Sequence, residues 1–256
     1  MAEARPAATV LLLRPSPQGP EVLLLRRASS AGFFPNTWVF PGGRVEAADA
    51  SVPTCGAVPA LPAAEAAFAV AALRECLEEA GVWLGQGEPP AGLREALNAR
   101  SGSLADAPAL VADLGRLRWW SWWITPEEEP KRFDTRFFLA ILRPDEAAVA
   151  SPDLSETVQS LWMRPAEAIA RAHVDDMFFA PPTFYSLLEL SQSPIEALLT
   201  APRHLQPIQP RLLRDGSLGD DVPVAILLPG DPLHPADEPA PAPRRLLLRA
   251  GRWETG

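Results

Sequence analysis

The stretch that decides how this chain is read is Arg74-Glu75-Cys76-Leu77-Glu78-Glu79-Ala80-Gly81-Val82. It closes a run from Glu65 to Ala80 with no Gly or Pro inside, which predicts a helix stopped by Gly81. Carboxylates at i, i+3 and i+4 fall on one narrow helical face, because successive residues turn by about 100°. Val70, Leu73 and Leu77 take the opposite face. One side therefore packs while the other concentrates negative charge, and like charges at this spacing repel. Taken alone, such a string reads as a solvated acidic stripe.

The segment before it changes the odds. Trp38-Val39-Phe40 reads as a strand running into Pro41-Gly42-Gly43, a corner where the backbone bends or comes close to a ligand. Strand, corner and helix together would bring a free backbone carbonyl near Glu75, Glu78 and Glu79. That is an oxygen-only donor set for a hard cation such as Mg2+ or Mn2+. Arg74 is placed to hold a carboxylate with its planar fork.

Further out, Val10 to Leu13 and Val22 to Leu25 read as strands joined by the turn-rich loop 15–20. Ala48 to Pro62 is small residues and prolines, a surface excursion. Beyond a Gly/Pro break at 85–92, Leu93 to Asn98 and Leu104 to Leu114 read as two helices of an inserted patch at about 85–115. Strand-like text returns at Leu117 to Ile124, Arg132 to Leu142 and Val158 to Met163, with short helices at Ala166 to Ala172 and Thr183 to Leu190. A domain over 1–202 is expected, followed by a β-rich, Pro-rich extension over 203–256 that includes Val222 to Leu228 and Arg245 to Leu248.

The composition sets outer bounds. In 256 residues there are 30 Pro against 16 Gly, which rules out long helical bundles and coiled coils, since Pro lacks the donor a helix interior needs. A net charge of −9 offers no diffuse attraction to a nucleic-acid polymer or an anionic membrane. A small phosphorylated substrate remains compatible if divalent cations neutralise the contact. The only cysteines are Cys55 and Cys76, so no disulfide framework is expected and a reducing cytoplasm is the natural compartment. No window reaches the roughly 18 apolar residues of a membrane helix. The early run Thr9 to Leu13 stops at Arg14 without a small-residue cleavage pattern and reads as a strand.

Gly43 followed by Arg74-Glu75-x-x-Glu78-Glu79-x-Gly81-Val82 resembles the signature of the Nudix hydrolases, G-x5-E-x7-R-E-U-x-E-E-x-G-U with U aliphatic. Cys76 stands at the inner U position. The arginine comes 31 residues after Gly43 where the pattern has 14, so 17 residues are inserted, at about 48–64. Counted from Gly43 the first acidic position is Asp49; counted back from Arg74 it is Ala66, with Glu65 one residue away. An interrupted box is similar to the branch that includes the peroxisomal coenzyme A diphosphatases. Trp123-Ile124-Thr125-Pro126, Arg132 to Phe138, Ser155-Glu156 ahead of Trp162, and Pro181-Pro182-Thr183 agree with that branch. The resemblance covers roughly 8–200 and implies an α/β/α sandwich around a mixed sheet.

It also implies hydrolysis of a diphosphate bond in a nucleoside diphosphate derivative, with coenzyme A or an acyl-coenzyme A as the first choice. Glu75, Glu78, Glu79 and the Gly43 carbonyl would hold Mg2+ or Mn2+, and Arg74 and the three glutamates form the catalytic group. ADP-ribose, a dinucleotide or a nucleotide sugar is the alternative substrate. An isomerase on the same fold is disfavoured by only three histidines, and a non-catalytic binding domain by the intact carboxylates. Period-2 alternation puts Arg132, Asp134 and Arg136 on one strand face and Phe133, Thr135 and Phe137 on the other. The two arginines are candidates to grip a diphosphate or 3′-phosphate, with a salt-bridged surface strand as the competing possibility. Glu156 is a candidate loop carboxylate. Of Trp119, Trp120, Trp122 and Trp123, one or two at most should touch ligand. His173 beside Asp175 and Asp176 lacks ligand spacing and should be solvent-exposed. The sequence leaves a homodimer open.

Overall fold

The computed structural model describes residues 2–30, 35–174, 177–192, 194–201, 203, 205–216, 223–236, 243–249 and 252–256. Strands β1 (Arg5–Arg14) and β2 (Glu21–Arg27) are the two early apolar runs, extended at both ends. β3 (Trp38–Val39) and β4 (Gly42–Arg44) flank the Pro41 corner, and β5 (Thr54–Cys55) lies in the box insertion. The acidic helix is α1 (Ala66–Ala80). β6 (Gly85–Gln86), α2 (Leu93–Asn98) and β7 (Val111–Asp113) follow. The second half carries β8 (Arg118–Ile124), β9 (Phe133–Ile141), α3 (Pro144–Ala148) and β10 (Thr157–Met163). Then come α4 (Pro165–Ala172), α5 (Pro181–Gln192) and α6 (Ile195–Thr200). The extension forms β11 (Arg211–Leu213), β12 (Ala225–Leu227), β13 (Arg245–Arg249) and β14 (Arg252–Thr255).

The main sheet runs β10-β2-β1-β9-β8, with β1 and β9 parallel and the other pairs antiparallel. Layers cover both of its faces, which is why β1 and β2 are continuous rather than alternating apolar runs. Val10, Leu12, Leu23 and Leu25 pack toward Val70, Leu73 and Leu77 of α1. Leu11, Leu13, Val22 and Leu24 pack the other way, with Phe184 and Leu187 of α5 and with Ile226, Leu246 and Trp253 of the extension. This is the α/β/α sandwich. The extension shares that second core, and its four strands form their own antiparallel sheet in the order β11-β12-β13-β14. Arg203 fastens its start, donating to the Trp120 carbonyl, pairing with Glu189 and lying over the Trp120 ring.

One irregularity positions the site. A single edge of β1 serves two strands: Leu13 and Arg14 pair with β2, whereas Ala7, Ala8 and Thr9 pair with β4. β4 is wedged in where β2 has diverged, and this carries Gly42 and Gly43 into the sheet beside α1. A Cβ on Gly42 would strike the Ala8 carbonyl and Thr9, so only glycine allows that approach.

Two expected elements come out differently. Leu104 to Leu114 forms no helix; it holds a 3-10 turn at Leu104–Asp106, then β7 and a second turn at Leu114–Arg116. Pro108 explains the break, since it removes a helical donor and pushes Ala107 out of the helical region, to φ −113° and ψ 72°. The stretch 48–64 is likewise more than a surface excursion. Asp49, Val52 and Val58 are buried, and β5 joins β7 and β6 in a three-stranded sheet, so the box insertion and the 85–115 insert build one subassembly. His173 is exposed as expected, while Asp175, Asp176 and Val222 lie outside the described residues. Among the described residues no helix is long and apolar enough to cross a membrane.

Candidate active site

The helix α1 ends as its sequence dictates. Gly81 adopts the left-handed conformation, its N–H donating to the Leu77 carbonyl and that of Val82 to the Cys76 carbonyl. Arg94 of α2 braces the same end: Nε donates to the Glu78 carbonyl at 2.9 Å and Nη2 to the Glu79 carbonyl at 3.2 Å, while both Nη groups also reach Ser151. The carbonyls of the two glutamates are thereby pinned from below, leaving their side chains directed at the Gly42–Gly43 corner.

That corner is assembled despite the insertion. The Gly42 N–H donates to Glu79 Oε2 at 3.0 Å. Gly43 lies against the Glu75 carboxylate so closely that any Cβ there would collide with it. Arg74, only 3% exposed, ties the cluster together. Its Nη1 donates to Glu75 Oε1 at 2.9 Å and Glu78 Oε1 at 2.7 Å, and its Nη2 donates to the Arg44 carbonyl at 2.7 Å. Nε and Nη2 clasp the two oxygens of Asp49 at 2.8 and 3.2 Å. Asp49 is 2% exposed and also accepts the Glu46 N–H. Of the two candidates for the first box carboxylate, Asp49 is the one on Arg74. Glu65 pairs instead with Arg136.

Burial makes these acids unlike a solvated stripe. Glu75 is 9% exposed and Glu79 4%. Lost hydration pushes Glu75 up to about 7, with Arg74 pulling it down and Glu78 adding to the rise. Burial likewise raises Glu79 well above the usual carboxylate range, reinforced by the charge of Glu75 and opposed by the Gly42 N–H and Arg27. Glu78 is raised by burial against the pull of Arg74. Among the described residues no three carboxylate, His or Cys side chains converge as a closed metal-ligand set, and Arg74 occupies one oxygen each of Glu75 and Glu78. The donor chemistry nonetheless fits a hard divalent cation: the set is oxygen-only, and the desolvated carboxylates repel one another beyond what one arginine offsets.

The acids line a cavity of about 650 Å³. Arg27, Arg44 and Arg100 also line it, as do Asp153 and Glu156. Within two of these lining residues, Arg27 Nε and Asp153 Oδ2 are buried without a hydrogen-bond partner. Glu156 is half exposed, with a carboxylate oxygen 3.8 Å from Arg100 Nη2.

Arg132 and Arg136 are not brought to the cavity. Arg132 donates to the carbonyls of Thr125 and Ala2. Arg136, 4% exposed, pairs with Glu65 and Asp134 and lies between the Phe68 and Trp122 rings on the α1 side of the sheet. The alternation along β9 is as read, but its other face, Phe133, Thr135 and Phe137, lines the cavity. Of the four tryptophans only Trp123 lines it. Arg27, Arg44, Arg94 and Asp153 were invisible to sequence reasoning: each is a single polar residue whose role depends on which strand or loop end the fold brings to the acidic corner.

Comparison with known proteins agrees with this geometry. The model of the NUDT19 Nudix domain matches residues 55–190, and that of the NUDIX domain matches residues 3–91. This chain belongs to the NUDT19 branch of the Nudix hydrolases. It is 32% identical over 91% of its length to the acyl-coenzyme A diphosphatase NUDT19 of Gallus gallus, covering 80% of that protein. With the Homo sapiens protein of the same name it shares 31% identity, covering 73% of this chain and 65% of the human one. A crystal structure of a NUDIX hydrolase from Alicyclobacillus acidocaldarius superposes with a TM-score of 0.68 at 30% identity, covering 80% of this chain and 99% of that one. Membership makes the chain a hydrolase of the class that works with a divalent metal.

Proposed function

We propose that this NUDT19-type Nudix hydrolase cleaves the diphosphate bond of coenzyme A or an acyl-coenzyme A, using Mg2+ or Mn2+. The observation that carries the proposal is a single cavity that unites the Gly42–Gly43 corner and its buried glutamates with arginines Arg27, Arg44 and Arg100. The named activity of the chicken and human relatives supports the choice of coenzyme A compounds.

Glu75, Glu78, Glu79 and the Gly43 carbonyl are the groups to hold the ion. When bound, a divalent cation offsets diphosphate charge and lowers the pKa of the attacking water. Arg74 keeps the carboxylates aligned, itself oriented by Asp49. One of the three glutamates, ionised, accepts the proton of the water. Arg27 and the rim arginines Arg44 and Arg100, which line the cavity, bind phosphate oxygens through charge-assisted bonds. Arg132 and Arg136 take no part in binding.

The test is a substrate panel of coenzyme A, an acyl-coenzyme A, ADP-ribose and a dinucleoside polyphosphate, each with Mg2+, Mn2+ or excess chelator. The proposal expects the highest kcat/KM on the coenzyme A compounds and none with chelator. A higher kcat/KM on ADP-ribose would overturn the substrate assignment.

A further inference from the structure

The cavity has a second part that the acidic corner does not explain. The C-terminal extension contributes Pro210, Leu212, Pro223, Ile226, Leu248 and Trp253 to its lining. These come from β11, β12, β13, β14 and the segments leading into them, so the small sheet presents an apolar wall to the cavity. Leu212 and Leu248 are only half-buried, as expected for side chains that face an open cavity rather than a filled core.

The chemistry of this wall is selective. Its one polar side-chain atom, the Trp253 indole nitrogen, already donates to the Phe179 carbonyl at 3.1 Å. Pro210 and Pro223 have no N–H, and the Leu248 N–H donates to the Val224 carbonyl. The wall therefore offers no free side-chain donor or acceptor for the edge of a nucleobase, nor a charge for a phosphate. It suits a flexible aliphatic chain, whose burial is favourable in proportion to area and needs no hydrogen bonds.

Resting on the coenzyme A reading above, we propose that the C-terminal extension is the specificity element of this enzyme: its wall receives the aliphatic acyl arm of a thioester substrate. The arm enters as the diphosphate is held at the acidic corner, so acylated substrate is favoured over free coenzyme A. The wall acts through binding and takes no part in bond cleavage.

The experiment measures kcat/KM for coenzyme A, acetyl-, octanoyl- and palmitoyl-coenzyme A on the full chain with Mg2+. Burying two methylenes gives roughly tenfold in affinity, so octanoyl-coenzyme A should exceed acetyl-coenzyme A by at least tenfold, mainly through KM. Leu212→Trp and Leu248→Trp, each filling the apolar part, should lower the octanoyl-to-acetyl ratio by tenfold or more. Melting temperatures report whether each variant folds, and the wild-type chain-length series decides even if neither does. Cleavage of all four compounds with equal kcat/KM by the wild-type chain overturns the inference and leaves the coenzyme A reading standing. So does an unaltered octanoyl-to-acetyl ratio in the folded variants. Cleavage of ADP-ribose but of no coenzyme A compound overturns both.

Discussion

Replacing Asp49 by Ala removes the carboxylate that the sequence left ambiguous. Asp49 and Arg74 are 2% and 3% exposed, and two charge-assisted bonds at 2.8 and 3.2 Å join them. Breaking a buried pair by deleting one partner typically costs about 3–5 kcal/mol. Arg74 keeps Glu75, Glu78 and the Arg44 carbonyl as partners, so it is not left unpaired, and the low end, about 3 kcal/mol, applies. For a chain of this size each kcal/mol shifts the melting temperature by about 2–4 °C, giving a drop of roughly 6–12 °C in Asp49→Ala. Asp49→Asn retains an acceptor for Arg74 and should lose about half as much. Thermal unfolding by circular dichroism in chelator, with turnover measured in parallel, reads both effects, and turnover should fall as Arg74 loses its anchor. If Asp49→Ala melts within about 2 °C of wild type, Arg74 is held by the acids of its own helix and the assignment of Asp49 as the first box carboxylate is wrong.

Three further outcomes are expected. Gly43→Ala places a methyl against the Glu75 carboxylate, which must swing away; the fold should survive while turnover drops by at least tenfold at saturating Mg2+. Arg136→Ala should lower the melting temperature by several degrees through loss of its ion pairs and ring contacts, with KM for coenzyme A within twofold of wild type; a KM rise common to coenzyme A and dephospho-coenzyme A would return Arg136 to the diphosphate. Without metal, Glu75 is raised in the folded state, so its contribution to stability is fully present below about pH 4.5, the ordinary carboxylate value, and is lost as pH rises through about 7. The unfolding free energy from chemical denaturation in chelator should therefore fall across that window, by an amount on the order of 3 kcal/mol, and a flat profile there would contradict the burial of an ionisable Glu75.

What was legible in the sequence was what local pattern determines. The helix over α1, its Gly81 stop and the packing of Val70, Leu73 and Leu77 follow from periodicity and composition. The Gly-Gly corner was readable because only close approach requires two glycines there. Burial of the acids was not readable: a string of glutamates looks solvated until β4 is seen wedged against β1 and closing over them. The choice between Asp49 and Glu65 turned on which side of the helix each reaches, which the loop between them decides. The cavity-facing side of β9 is not legible for a related reason. Alternation separates Arg136 from Phe137, but which face meets the cavity depends on where α1 docks, and α1 covers the charged face. Pro108 is the one local signal against a helix over Leu104 to Leu114, since it removes a helical donor and restricts Ala107. The apolar wall at 203–256 could not be read at all, since its short strands acquire a direction only by packing on the main sheet.

The most direct test of the central claim follows the products of coenzyme A by mass spectrometry, comparing the wild-type chain with Glu79→Gln. Gln keeps the shape of Glu79 and can still accept the Gly42 N–H, and it removes a desolvated charge beside Glu75, so the variant should melt no lower than wild type. The wild-type chain should release adenosine 3′,5′-diphosphate and phosphopantetheine only with a divalent cation present, and Glu79→Gln should do so at least a hundredfold more slowly. Wild-type-like turnover in folded Glu79→Gln, or the same products formed in excess chelator, would contradict the account.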